Sequence, residues 1–420
     1  MAKIAFLSLV FPPDAVSTAQ IMGDLAVDLS DSGHEVEVLT TTPHYNRDLE
    51  AEAKQPLRNH WGIALQHSSY HGIPTYHVLM PRKGSSIVAR LLPWLNFHVL
   101  STLAGAVVAS RPDVIIVPSP PISIGVSAWL LRLLYESPFI YNVQEIYPDY
   151  AIALGAIKNP QLISVLYRLE KFVYDQAGAV TVISPHMREQ LIGKGVPAKK
   201  IVVIPNFVDT TTMRPLPKDN DFSRRHGVHQ KFLVSYAGNL GPAQDLDTFI
   251  DCAVSLRNND AIHFMLMGDG MLRDKLTDRI SMLSLPNVSV LPYQPYSLVP
   301  QIYAASDLCL VPQTPGVTAT AVPSKVYRIM ACARPVLAAT TQDSDLSNLV
   351  ERSGGGIVVP AGSPERLAEA IVDASANLEM LRRMGNAGRE HVVQHYSRDA
   401  ISLKYHELVN RLVNCKGEVR

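Results

Sequence analysis

Short apolar runs alternate along the whole chain with longer stretches in which apolar positions recur every three or four residues. The first kind reads as buried strands and the second as amphipathic helices, and their regular alternation predicts parallel α/β structure. Lys3–Val10 reads as a first strand, broken by Pro12-Pro13-Asp14. Ala19–Ser32 follows as a helix stopped by Gly33, and Glu35–Thr40 as the second strand. Asp113–Val117 and Phe139–Val143 are further strands, and Ala179–Ile183 closes this half. The stretch 209–230 is polar and carries Pro215 and Pro217, which predicts a linker between a domain 1–208 and a domain 231–396. The pattern then restarts with strands Phe232–Ala237, Ile262–Met267, Val288–Leu291, Leu308–Val311 and Pro335–Ala338, the last two completing the sheet. Helices begin near Gln244, Pro364 and Glu379. A final one, within 397–420, carries Ile401, Leu403, Leu408 and Leu412 and needs a partner surface. Two doubly wound, Rossmann-like domains facing each other across a deep cleft are the expected architecture, with ligands at the carboxyl ends of the strands.

Length supports two domains, because 420 residues exceed one ordinary core. The hydrophobic fraction of 47% and the charged fraction of 18% suit a well-packed globular chain. The 38 basic and 38 acidic residues cancel, which removes the electrostatic argument for nucleic-acid binding. Cys252, Cys309, Cys332 and Cys415 show no metal-ligand spacing and read as reduced, buried thiols. The amino terminus enters a strand pattern directly, without the apolar segment and cleavage site of a signal peptide. No run of about 18 uncharged apolar residues occurs, so the expected location is cytoplasmic.

Two strand exits in the second half carry candidate chemistry. At Gly238-Asn239-Leu240-Gly241 and at Gly268-Asp269-Gly270, glycines let the backbone approach a ligand, and amides at a helix start attract phosphate. A tight strand-to-helix turn explains the same glycines. In Pro323-Ser324-Lys325-Val326-Tyr327-Arg328, Lys325 and Arg328 share a helix face three residues apart. That pair suits a diphosphate, and it also suits a solvated surface. Glu145 and Asp149 follow a strand of the first half, where a carboxylate acts as a base, orients a hydroxyl, or simply caps the strand end. His44 is a contact residue or a plain loop histidine. Arg82-Lys83, followed by the apolar stretch through Trp94, reads either as an interfacial membrane contact or as a core helix with a basic cap. Asp343-Ser344-Asp345 has the form of a metal-binding DxD, but no metal is expected.

Seven segments together resemble the family 4 retaining glycosyltransferases of the GT-B fold, over nearly the whole length. They are Phe11-Pro12-Pro13, Gly33-His34-Glu35-Val36, Val143 to Asp149, Ile204-Pro205-Asn206-Phe207-Val208-Asp209, Ala237 to Gly241, Gly268-Asp269-Gly270, and Pro323-Ser324-Lys325 running into Met330-Ala331-Cys332. The similarity is to the bacterial O-antigen, capsule and exopolysaccharide branch, of the fucosamine-transferase and colanic-acid-transferase type. The resemblance implies a nucleotide-sugar donor, a UDP-sugar, as substrate, with no cofactor. It also implies a saccharide acceptor, commonly linked to polyprenyl diphosphate, transfer with retention of configuration, and a last helix that returns to the first domain. Donor contacts are then expected from Gly238, Asn239, Gly241, Gln244, Gly268, Asp269, Tyr293, Thr320, Ser324, Lys325 and Arg328. Asp14, Gln20 and His44 fall on the acceptor side.

The chain departs from the family pattern where the donor binds. Two glutamates usual in the family align with Thr320 and Arg328, and an arginine cannot accept bonds from ribose hydroxyls. The usual basic clamp on the diphosphate aligns with Asn239 and Gln244, both neutral. Lys325 and Arg328 are expected to supply the missing charge. A nucleotide-sugar epimerase on the same fold and a non-catalytic scaffold are the rival readings.

Overall fold

The computed structural model describes residues 1–417 except 15, 45–48, 62–63, 81–86, 109 and 316–321, with side chains left undescribed also at 49, 87–95, 108 and 415–417. Thr320, Arg82, Lys83 and the side chains of Trp94 and Cys415 therefore lie outside the described residues. The chain divides into two compact units, one formed by 1–152, 157–206 and 398–420, the other by 153–156 and 207–397.

The first unit is built on strands β1 (Lys3–Leu7), β2 (Glu35–Thr41), β3 (Arg58–Trp61), β4 (Leu65–Tyr70), β5 (Ile73–Val78), β6 (Val114–Ser119), β7 (Phe139–Val143), β8 (Ala179–Val182) and β9 (Ile201–Val203). They form one sheet in the order β3-β4-β5-β2-β1-β6-β7-β8-β9. From β5 to β9 all pairs are parallel, with Ile4 opposite both Val36 and Val114. Every residue of β6 and β7 is buried, as expected of central strands covered on both faces. The pattern did not announce β3 to β5. All four residues of β3 are exposed, and β4 is largely polar, so this antiparallel edge lacks the apolar run that marks a buried strand. Nor does β8 close the sheet, since β9 adds a short outer strand.

The second unit carries β10 (Phe232–Ala237), β11 (Ile262–Met267), β12 (Val288–Leu291), β13 (Leu308–Pro312), β14 (Val336–Thr340) and β15 (Gly356–Pro360). Their order is β12-β11-β10-β13-β14-β15, all parallel. Here β15 extends a sheet that the sequence reading ended at β14. Phe249, Phe264, Leu266, Leu337 and Ile371 lie at the centre of its main core. The stretch 209–230 packs in this unit. It includes the helix Asp221–Arg225, capped by Asn220, and it buries Phe222 and Val228 against Leu233 and Met265.

The last helix, Arg398–Gly417, belongs to the first unit. Arg398 donates to Asp28 at 2.7 Å and to Asp24 at 3.0 Å, both on the helix Ser17–Asp31. The Tyr405 hydroxyl accepts from Asn142 at 2.8 Å. Its buried stripe is Ile401, Tyr405, Leu408 and Val409, whereas Leu403 is 57% exposed. Two residues along a helix turn the side chain by roughly 200°, so Leu403 lies on the opposite face from Ile401.

Candidate functional site

Strands β10 and β11 end side by side, and the loops that leave them interlock through backbone. Gly238 donates to Met267 at 2.9 Å, Leu240 to Asp269 at 2.8 Å and Leu272 to Leu240 at 2.9 Å. Glycine is required at this junction: a Cβ on Gly268, at φ +146°, would lie 1.8 Å from the Gly238 carbonyl oxygen. Gly270 meets the Leu240 carbonyl in the same manner, at 2.6 Å. The side chains of Asp269 and Asn239 are exposed above this layer. Gln244 lies with its amide 3.3 Å from the Asn239 carbonyl and 3.2 Å from that of Gly241, so it braces the loop.

Lys325 reaches this junction from the first residue of the helix Lys325–Ala331, with Ser324 at the cap position. Its ammonium sits 3.8 Å from the centre of the Tyr236 ring, and a Cβ on Gly238 would approach it to 2.6 Å. Gly238, at φ +150°, thus keeps open the space that the lysine occupies. Burial, and then the nearby Arg328 charge, push the Lys325 pKa down to about 7. Arg328 stands over the Tyr296 ring, 5.3 Å from its centre. Among the described residues no carboxylate pairs with Lys325. The Lys325 ammonium, resting on an aromatic face and repelled by a neighbouring cation, is in a setting that favours an incoming anion.

The structure therefore brings Gly238, Asn239, Gly241, Gln244, Gly268, Asp269, Ser324, Lys325 and Arg328 to the carboxyl-end side of one sheet. Tyr293 follows β12 and is 48% exposed. Sequence reasoning missed Tyr236 and Tyr296, the rings under the two cations. Tyr236 lies near the end of β10 and Tyr296 in a short turn before the helix Val299–Ala305, and neither position carries a local sign of the cation beside it.

In the first unit, Glu145 follows the buried end of β7. Burial pushes its carboxyl up to about 6, and no donor among the described residues reaches it. Tyr147 and Tyr150 feel its charge and are themselves raised, mainly by burial. Its neighbour Gln144 is fixed in a buried amide chain, donating to Asn142 at 2.6 Å and accepting from Asn206 at 2.8 Å. Sequence reasoning also missed this chain, which ties the end of β7 to the segment after β9. Asp149 is engaged differently: it accepts from the Tyr167 hydroxyl at 2.7 Å and forms an ion pair with Lys194. Of the two carboxylates, Glu145 is the one available for proton chemistry.

Asp14 and His44 meet beyond β1 and β2. Asp14 is buried and accepts from the His44 amide at 2.9 Å, and the His44 ring bonds to the Thr41 hydroxyl at 3.0 Å. Gln20 lies half-buried on the helix Ser17–Asp31. Asp343-Ser344-Asp345 opens the helix Asp345–Ser353, with Ser344 as its cap accepting from the Ser347 amide. Among the described residues no group of three or more His, Cys, Asp or Glu is placed to hold a metal ion. Cys252, Cys309 and Cys332 are free and buried.

Comparisons with known proteins cover both units. The family model for the "Glycosyl transferase 4-like domain" matches residues 18–206, and that for "Glycosyl transferases group 1" matches residues 231–377. The chain is 27% identical over 303 residues to the "Probable glycosyltransferase WbjE" of Pseudomonas aeruginosa, covering 70% of this chain and 74% of that one. It is 24% identical over 406 residues to the "Putative colanic acid biosynthesis glycosyl transferase WcaI" of Escherichia coli, covering 93% and 95%. Among solved structures, Anabaena HepE in complex with UDP-glucose superposes with a TM-score of 0.74 at 18% identity, over 98% of this chain and 100% of that one.

Proposed function

We propose that this chain, which belongs to the family 4 glycosyltransferases of the GT-B fold, moves a sugar from a UDP-sugar onto a saccharide acceptor of cell-surface polysaccharide synthesis. The acceptor we assign is linked to a polyprenyl diphosphate, and the transfer retains configuration without a metal ion or cofactor. Membership makes the chain a glycosyltransferase. The observation that supports the donor reading most directly is the ammonium of Lys325, held without a carboxylate beside the Gly238 loop.

Breaking the anomeric bond piles negative charge on the departing diphosphate, and that charge must be met where it develops. Lys325 and Arg328 are placed to meet it, with backbone amides of the interlocked loops and of Ser324 beside them. Asn239 and Gln244, neutral where the resembling enzymes carry cations, shape the loop instead. In the first unit Glu145 is our candidate for taking the acceptor proton or orienting its hydroxyl. Asp14, Gln20 and His44 stay on the acceptor side, and Asp149 positions the segment after β7.

Calorimetry of UDP binding tests the donor site. Lys325→Ala is expected to weaken binding by about 1.5–3 kcal/mol, the range for hydrogen bonds to charged groups. Arg328→Ala should lose as much, or more where its fork bridges both phosphates. Arg328→Glu separates two roles. It binds UDP worse than Arg328→Ala if the arginine reads the diphosphate, and as well as the parent if the ribose takes the usual glutamate. Unchanged affinity in all three variants would remove the donor site from this place.

A further inference from the structure

Among the described residues nothing donates to the Glu145 carboxylate, so where it points is set by the chain on either side of it. Upstream, Gln144 is locked in the buried amide chain with Asn142 and Asn206. Downstream, Asp149 opens the helix Asp149–Ala153. A single helical turn does not hold its own shape in water and has to be anchored from outside. Its polar anchor is the Asp149 side chain.

Asp149 is gripped from two other helices. It accepts from the Tyr167 hydroxyl at 2.7 Å, on the helix Pro160–Gln176, and it pairs with Lys194, just past the helix Pro185–Gly193. The same ammonium reaches both oxygens of Glu170, at 2.8 Å and 2.7 Å, and lies 4.8 Å from the centre of the Tyr167 ring. Glu170 is 3% exposed and also accepts from the Tyr174 hydroxyl at 3.2 Å. Tyr174 in turn meets Tyr141 of β7 edge to face, with ring centres 5.9 Å apart. The path closes on itself. The strand that ends before Glu145 and the helix that starts after it are joined through Glu170 and Lys194.

Two carboxylates share one ammonium here, and among the described residues neither carboxylate pairs with another cation. Burial pushes the Glu170 carboxyl up, and Lys194 opposes that rise. Charges taken out of water in this way are a poor source of stability, because desolvation offsets much of their attraction. What they supply is geometry. Without Lys194 the two carboxylates repel each other, and Asp149, the more exposed of the pair, turns towards water.

We propose that Lys194 is a positioning residue for Glu145: through Asp149 it fixes the helix Asp149–Ala153 and with it the direction of the carboxylate just upstream. The inference deepens the reading of Glu145 as the group that meets the acceptor hydroxyl, and it rests on that reading.

The test follows the Glu145 carboxyl by NMR in the full chain, made with isotope-labelled glutamate and assigned by the resonance lost in Glu145→Gln. The parent should titrate at about 6. Lys194→Met should move the carboxyl back towards the ordinary 4.5 and also lower the thermal midpoint, since it leaves Glu170 buried and unpaired. Lys194→Met combined with Glu170→Gln removes that unpaired charge, so the midpoint should recover while the titration stays displaced. Lys194→Arg should restore the titration, and UDP should bind alike in all of them, since these residues belong to the first unit. In transfer from UDP-glucose to a polyprenyl-diphosphate-linked saccharide, the double variant should lose kcat by about tenfold or more. A double variant in which Glu145 still titrates at about 6, or a parent in which it titrates at 4.5, overturns the proposal. So does a double variant with the parent's kcat when Glu145→Gln has lost its own. The two readings fail separately: Glu145→Gln with full kcat sinks the assignment of Glu145 to the acceptor, and the titration still decides whether Lys194 holds that carboxylate.

Discussion

Glu145 and Lys325 are both pushed towards neutrality by burial, with opposite consequences as pH changes. The folded protein raises the Glu145 carboxyl from the ordinary 4.5 to about 6, so between these values the folded chain binds the extra proton. Stability therefore falls as pH rises through that window and stays lower above it. Glu145→Gln removes the penalty. It should be as stable as the parent at pH 4 and about 1–2 kcal/mol more stable at pH 8 by denaturant titration. The same change should cut kcat by about 10²–10⁴-fold if Glu145 handles the acceptor proton, and the parent's kcat should decline as pH falls below 6. A stabilised variant with full kcat would assign the carboxylate no part in the reaction. For Lys325 the folded value lies near 7, below the ordinary 10.5, so above pH 7 the amine must regain a proton to meet the diphosphate. UDP affinity should then weaken as pH rises from 7, with proton uptake visible by calorimetry in buffers of different ionisation enthalpy. Lys325→Arg, always charged, should flatten that dependence.

At the scale of elements, the interlock of the two loops sets different demands on two glycines at one sheet edge. In Gly268→Ala the new methyl meets the Gly238 carbonyl, which cannot move without parting β10 from β11. In Gly238→Ala it meets the end of the flexible Lys325 side chain, which can swing away. Both positions lie at positive φ and carry a strain of about 1–3 kcal/mol with a side chain present. Gly268→Ala should therefore lower the thermal midpoint clearly more than Gly238→Ala, while both lose UDP affinity. Equal destabilisation would mean that Lys325 is as rigid as backbone. The glycines were legible in the sequence as strand exits, because φ and close approach leave a composition signal. Tyr236 and Tyr296 were not, since an aromatic at a strand end or in a short turn has the same local pattern whether or not a cation rests on it. The central strands β6, β7, β10, β11, β13 and β14 were equally legible, being continuous apolar runs. The polar hairpin edge β3–β5 was not, and neither was the face of the last helix on which Leu403 falls.

For the whole molecule, chain order and unit membership disagree, and that disagreement makes the last 23 residues, 398–420, informative. They follow the second unit in sequence but complete the first. The helix Arg398–Gly417 buries Ile401, Tyr405, Leu408 and Val409 there, and fully burying a side chain of this size is worth about 1.5–3 kcal/mol. Its removal also strips Asp24 and Asp28 of Arg398, and Asn142 of the Tyr405 hydroxyl. The sum is on the order of the 5–15 kcal/mol that holds a typical domain together. A chain ending at Ser397 is therefore expected to lose the first unit's cooperative unfolding transition at 25 °C. The second unit keeps its own cores and the Lys325 junction, so UDP should still bind within about twofold of the parent, as sites without shared partners behave independently. Scanning calorimetry with and without UDP reads both outcomes, since ligand raises only the transition of the unit that binds it. If the shortened chain kept the first transition and lost UDP binding, the assignment of the nucleotide to the second unit would fall.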